Sequence, residues 1–151
     1  MAETVANAVR AARSAIETRL RAQWVTGGGQ LLTPIQWPNA AGWETASGWS
    51  EQLPGNDPWL KVDIFIGDNQ PVTISTVKLN RNVGLLQLTI FIPAAEGAGE
   101  MDELAGKAKA IFSRFFGNGL EFVSVSGPVT QQDAGQMSGV VTGTFYFYEQ
   151  V

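Results

Sequence analysis

Apolar residues recur at helical spacing from the start of the chain. Val5, Val9, Ala12, Ile16, Leu20 and Trp24, projected at about 100° per residue, fall within an arc of roughly 120°. The pattern predicts an amphipathic helix over residues 1–26, ended by Thr26-Gly27-Gly28-Gly29, where three glycines lose too much backbone entropy to remain helical. At Trp59 the period changes to two: Leu60, Val62, Ile64 and Ile66 alternate with Lys61, Asp63 and Phe65, a strand with one buried face, closed by Gly67-Asp68-Asn69. A weaker strand follows at Val72 to Leu79, then turn residues from Asn80 to Gly84. Leu85 to Ile92 alternates again, so the pattern predicts a hairpin with a five-residue loop.

Helical spacing returns at residues 100–117, where Met101, Leu104, Ala105, Ala108, Ile111, Phe112, Phe115 and Phe116 share a face. Asp102 and Glu103 suit the positive end of the helix dipole and Lys107, Lys109 and Arg114 the negative end, with Gly117-Asn118-Gly119 as a left-handed cap. Strands at 120–126 and 140–148 complete the set, joined by a polar connection from Gly127 to Gly139. The order predicts an α+β fold of one domain: one mixed, mostly antiparallel sheet of about five strands, two helices packed on one face, and a long Trp-rich loop. The opposite face, interleaved with Thr, Gln and Tyr, is only half apolar and suits water or an assembly contact.

Residues 27–58 are rich in Gly, Pro, Asn and Ser yet hold Trp37, Trp43 and Trp49. Each indole can bury about 150–250 Å², which argues against disorder. Either the three plug one end of the domain's own core or some of them contact another protein. Arg13 projects into the apolar arc of the first helix and also has two readings. Its stem packs while its head reaches water, or its head meets an acidic group on a neighbouring subunit.

Composition narrows the chemistry. The 151 residues include no cysteine and no histidine, which removes Ser-His-Asp and Cys-His catalysis, thiolate chemistry and imidazole-ligated metals. No phosphate-binding loop, nucleophile elbow or EF-hand ladder is present. Glu96, Glu100, Asp102 and Glu103 cluster, but a helix N-terminus explains them better than a hard-cation site, and nothing places a second functional group beside Asp63 and Asp68. No catalytic residue, metal or cofactor is expected, and the chain is not expected to be an enzyme. The formal charge is −4; residues 1–26 hold Arg10, Arg13, Arg19 and Arg21 against Glu3 and Glu17, so a segment of +2 precedes a body of −6. That balance disfavours a DNA reader. No apolar run reaches the ~20 residues of a membrane span, and the N-terminal residues do not resemble a secretory signal, so synthesis in a host cytoplasm is expected.

Several short motifs carry a resemblance. Thr33-Pro34-Ile35-Gln36-Trp37-Pro38-Asn39 follows an amphipathic helix and precedes Pro58-Trp59-Leu60-Lys61-Val62. Ile90-Phe91-Ile92-Pro93 and Gly97-Ala98-Gly99 lead into a helix with Phe112 and Phe116 at its end, and Phe145-Tyr146-Phe147-Tyr148 closes the pattern. Over Ile16 to Tyr148 the chain resembles the tail terminator-like proteins of long-tailed bacteriophages. It departs from them at Ala41 to Leu53, which is longer and richer in Trp.

The resemblance implies a virion structural protein: a homo-oligomer, a hexameric ring, that caps the head-proximal end of the tail tube. Such a ring halts polymerisation and presents a surface to head-completion or connector proteins. DNA would pass through the lumen without specific binding, and no membrane is involved. For the subunit interface the expected residues are Arg10, Arg13 and Arg21 of the basic helix against acids such as Asp63 or Glu121 of the next copy. For tube or connector docking they are Trp43 and Trp49 with a hairpin tip at Asn80, Arg81 and Asn82, a tip that backbone geometry alone also explains. The rival assignments are a head–tail connector or tail-tube subunit, then a carboxylate-metal enzyme or a small-ligand-binding domain.

Overall fold

A computed structural model of the chain describes residues 5–53, 57–71, 79–93, 98–117, 119–133 and 135–150. The expected α+β architecture is present, with two helices and a single mixed sheet, but the sheet has eight strands and not about five. In chain order the elements are α1 (Val5–Gln23), β1 (Ile35–Gln36), β2 (Trp43–Thr45), β3 (Gly48–Ser50), β4 (Trp59–Pro71), β5 (Leu79–Pro93), α2 (Ala98–Phe112), β6 (Phe116–Gly117), β7 (Leu120–Asp133) and β8 (Gln136–Gln150). Across the sheet the order is β3-β2-β1-β4-β5-β8-β7-β6, with β1 and β4 parallel and every other neighbouring pair antiparallel.

The extra strands are the short ones. β1, β2 and β3 lie inside the segment expected to be a loop, and two or three residues are too few to show a period. β6 takes Phe116, which the helical spacing assigns to the second helix. α2 ends at Phe112 because Arg114 adopts φ 59°, so the left-handed cap falls on Arg114 and not on the glycines that follow. Gly117 instead closes β6, where it pairs with Leu120 at the start of β7.

Three expected connections are strand instead. β5 begins at Leu79, so Asn80 to Gly84 belong to it and are not a turn; 72–78, where a weak strand was expected, lie outside the described residues. β4 runs past Gly67 to Pro71 by absorbing a register shift between Ile66 and Asn69. The polar stretch from Gly127 to Gly139 belongs to the outer part of a β7–β8 hairpin, whose strands survive two further register shifts, at Phe122/Ser124 and Ser126/Val129.

Both helices pack on one face. Pairing aligns Leu60–Ile90, Val62–Leu88–Val141, Ile64–Leu86 and Phe145–Phe122, all buried, beneath Ala12, Ile16, Leu20 and Trp24 of α1 and Met101, Leu104, Ala108 and Phe112 of α2. In the first turns of α1 it is Ala8 that is buried and Val9 that is half-buried. The helices are joined through Arg19, whose Nε donates to the Ile111 carbonyl at 2.7 Å while its guanidinium lies 3.9 Å from the Phe115 ring centroid. Ile111 lies in the last turn of α2, where carbonyls lack helical partners, so a cation there satisfies both the orphan acceptor and the dipole.

Candidate assembly surfaces

The flank of α1 away from Arg19 carries the three expected interface arginines. At about 100° per residue, Arg10, Arg13 and Arg21 fall within roughly 80° of one another, with the buried row between them and Arg19. Arg13 is half-buried and its Nη1 donates to the Ile64 carbonyl at 3.4 Å, so its stem packs and its head stays within its own chain. Arg21 pairs with Glu44 of its own chain at 3.0 Å and lies over the Trp37 ring, 4.6 Å from the centroid. Arg10 is exposed and has no ion pair among the described residues.

The acids expected opposite them lie on the other side of the molecule. Asp63 stands beside Gln87 on the sheet face that neither helix covers, and Glu121 stands beside Tyr146 on the same face. Within one chain the structure does not bring these arginines and acids together.

That uncovered face is mostly neutral and polar. Lys61, Asp63, Gln87, Thr89, Thr142, Thr144 and Ser138 alternate with the core residues, interspersed with Phe65, Val83, Leu85, Val129 and Val140, and the charges among its described side chains are Lys61, Asp63, Arg81 and Glu121, two of each sign. One end carries an aromatic ladder. Trp59 stacks on Phe91 at 4.2 Å, and Trp43 meets Trp59 edge-on at 5.5 Å. Sequence reasoning did not single out this ladder, although Trp59 and Phe91 both sit one residue out of phase with the buried row. At the other end Arg81 lies 4.5 Å from the Tyr146 ring centroid, with Tyr148 exposed nearby on β8.

The expected docking residues are dispersed. Trp43 is half-buried in the ladder, with its Nε1 enclosed and without a hydrogen-bond partner among the described residues. Trp49 is 57% exposed on β3. Trp37 belongs to the core side, 8% exposed, and donates from Nε1 to Glu44 at 2.8 Å. Asn80, Arg81 and Asn82 form no tip: all three are in β5, opposite Pro71, Gln70 and Asn69, because the β4–β5 ladder continues past the residues that suggested a turn. Asn82 is 4% exposed and its Nδ2 has no partner among the described residues; the side chain of Asn80 lies outside them. Glu44, which receives both Arg21 and Trp37, was not anticipated, since nothing in the spacing of a Gly- and Ser-rich segment marks it.

Among the described residues no three Asp or Glu gather as a metal site, and no helix is long and apolar enough to cross a membrane. What the geometry offers is surface: a basic helix flank, a neutral polar sheet face, and two exposed sheet edges. A family model described as phage tail terminator protein matches residues 11–142. The chain belongs to the phage tail terminator family. It is therefore a bacteriophage tail structural protein and a virion component. A solved structure superposes with a TM-score of 0.64 at 13% identity, covering 91% of this chain and 94% of the other, a likeness that shows the fold alone. No curated protein matches the sequence.

Proposed function

We propose that the chain acts without catalysis, as a ring of six copies that closes the head-proximal end of the tail tube, stops its growth and receives the head-completion or connector proteins. The family assignment over residues 11–142 carries this reading. The asymmetry of the fold supports it: both helices lie on one face and the polar face is bare, so copies related by rotation present two different annular surfaces, one for a tube and one for a connector. Subunit contacts would join the basic flank to Asp63 or Glu121 of the next copy, with exposed Arg10 reaching across and Arg13 and Arg21 adding positive charge while keeping their contacts to Ile64 and Glu44. Trp43, Trp49 and the Asn80-Arg81-Asn82 end of β5 would lie toward the tube or connector.

Six copies at −4 each carry −24, which disfavours retention of DNA passing through the lumen. The test is mass by light scattering across protein concentration and salt, electron microscopy of any large species, and addition to growing tube subunits. A closed ring, or a monomer that arrests tube growth, supports the proposal. Open filaments would reassign the chain to the tube, a ring that ignores tube ends would reassign it to the connector, and tight DNA binding at physiological salt would reject the passive lumen.

A further inference from the structure

The two ends of the sheet are unlike, and both are open. At one end β3 is outermost. At the other, β6 pairs only with Leu120 and Glu121, and the Phe122 amide donates to the Phe115 carbonyl at 2.9 Å. From Val123 to Asp133 no described strand pairs with the outer side of β7. Such an edge presents rows of unpaired N–H and C=O groups, which natural sheets blunt with lysine, proline or bulges. In β7 these devices lie before Val129, in the two register shifts and Pro128. Val129-Thr130-Gln131-Gln132 runs in unbroken register against Val140 to Met137, exposed, uncharged and free of proline, with Val129 74% exposed.

We propose that the outer edge of β7 at Val129–Gln132 pairs with the outer edge of β3 in a second copy of the chain, so that the sheet continues from subunit to subunit. This rests on the ring reading given above. The chain itself supplies both halves of the joint in two uncharged edges, neither able to satisfy the other within one molecule; the outer side of β4 beyond Lys61 also lacks a described strand partner, but it carries Asp63 and its Ile64 carbonyl is taken by Arg13. A two-fold β7–β7 joint would end at a dimer and leave β3 and its exposed Trp49 wet. The unlike pair repeats head to tail, as a ring requires, and it engages an exposed aromatic of the type that anchors interfaces. Each joint is short, so it adds register and direction to contacts made elsewhere on the flank.

The chain has no cysteine, which permits a direct test. Within one chain β3 and β7 are six strand spacings apart, ~29 Å along the sheet, beyond the reach of a disulfide. Full-length variants pairing Trp49→Cys or Ser50→Cys with Thr130→Cys or Gln131→Cys are oxidised and run without reductant, with circular dichroism to check folding. The expected result is a covalent ladder up to the mass of the native ring, in one of the four pairings and only when both cysteines are present. A ring by light scattering with no bridge in any pairing overturns the strand joint and leaves the ring reading intact. Dimers from Gln131→Cys alone, with no ladder from the double variants, replace it with the two-fold joint. A chain that is monomeric at every concentration overturns both.

Discussion

Arg21 and Glu44 form a salt bridge of 3.0 Å that fastens the last turn of α1 to β2. The same carboxylate oxygen accepts the Trp37 indole N–H at 2.8 Å, and the Arg21 guanidinium covers that indole ring. A segment with short strands and many turn residues is thus held to the helical layer by one carboxylate with two donors.

Removing that carboxylate therefore costs more than an exposed ion pair would. Arg21 is half in water, so the charge pair alone contributes about 0–1 kcal/mol; the part-buried Trp37 N–H left without an acceptor adds about 1–3 kcal/mol. Glu44→Ala is expected to lower the melting temperature by roughly 3–10 °C, at about 2–4 °C per kcal/mol for a chain of this size. Glu44→Gln keeps an acceptor and should lose less than half of that. Equal losses for the two variants would show that the charge, and not the hydrogen bond, holds the segment.

A second indole makes a sharper case. Trp24 is fully buried and its Nε1 donates to Thr33 Oγ1 at 2.9 Å, closing the chain over the triple-glycine turn. Thr33→Val keeps the shape and deletes the acceptor, with an expected cost of about 1–3 kcal/mol in urea unfolding; Thr33→Ser should be nearly neutral. A valine variant as stable as the parent would mean that the indole finds another acceptor.

Gly84 is fixed by packing. A Cβ built there would lie 2.2 Å from the Phe145 ring, which fills the space over β5. Gly84→Ala is expected to destabilise by about 1–3 kcal/mol, and Phe145→Leu in the same chain should recover part of the loss, since the two sites share one volume. Strictly additive losses in thermal melts would place the strain elsewhere.

These positions show what the sequence discloses. Helical and two-residue periods locate α1, α2 and the long strands because each buries a continuous face, and Ile16, Leu88 and Phe112 all lie where periodicity puts them. Periodicity fails for β1, β2 and β3, which are too short to repeat, and for the ends of β4 and β5, where asparagines usual in turns are held in the ladder by neighbours distant in sequence. The assembly candidates separate in the same way. Their chemistry is visible one residue at a time, but that Arg21 meets Glu44, or that Arg10 and Asp63 lie on opposite sides of the molecule, depends on how α1 crosses the sheet.

Asn82 is one such turn-like residue in the core. Its Nδ2 is enclosed without an acceptor among the described residues, and an unsatisfied buried amide costs about 1–3 kcal/mol. Asn82→Leu, which keeps the branched side-chain skeleton and deletes the amide, is expected to raise the melting temperature by a few degrees, at about 2–4 °C per kcal/mol. A lower melting temperature would show that the amide's other atoms hold this end of β5 together.

Arg10 offers the cleanest separation of folding from assembly. It is exposed on the flank of α1 that faces away from α2 and makes no ion pair among the described residues, so Arg10→Glu should change stability by no more than about 0.5 kcal/mol. If the basic flank meets Asp63 or Glu121 of the next subunit, the same change places like charges across the joint. The ring should then dissociate at higher protein concentration than the parent, and added salt should narrow the difference by screening the repulsion. Arg10→Glu combined with Asp63→Lys or Glu121→Lys should restore assembly for whichever acid is the true partner, because only contacting residues show such coupling. Oligomer mass across concentration and salt is the measurement. An Arg10→Glu ring as tight as the parent at low salt would remove this flank from the interface and leave the uncharged edges of β3 and β7 to join the subunits.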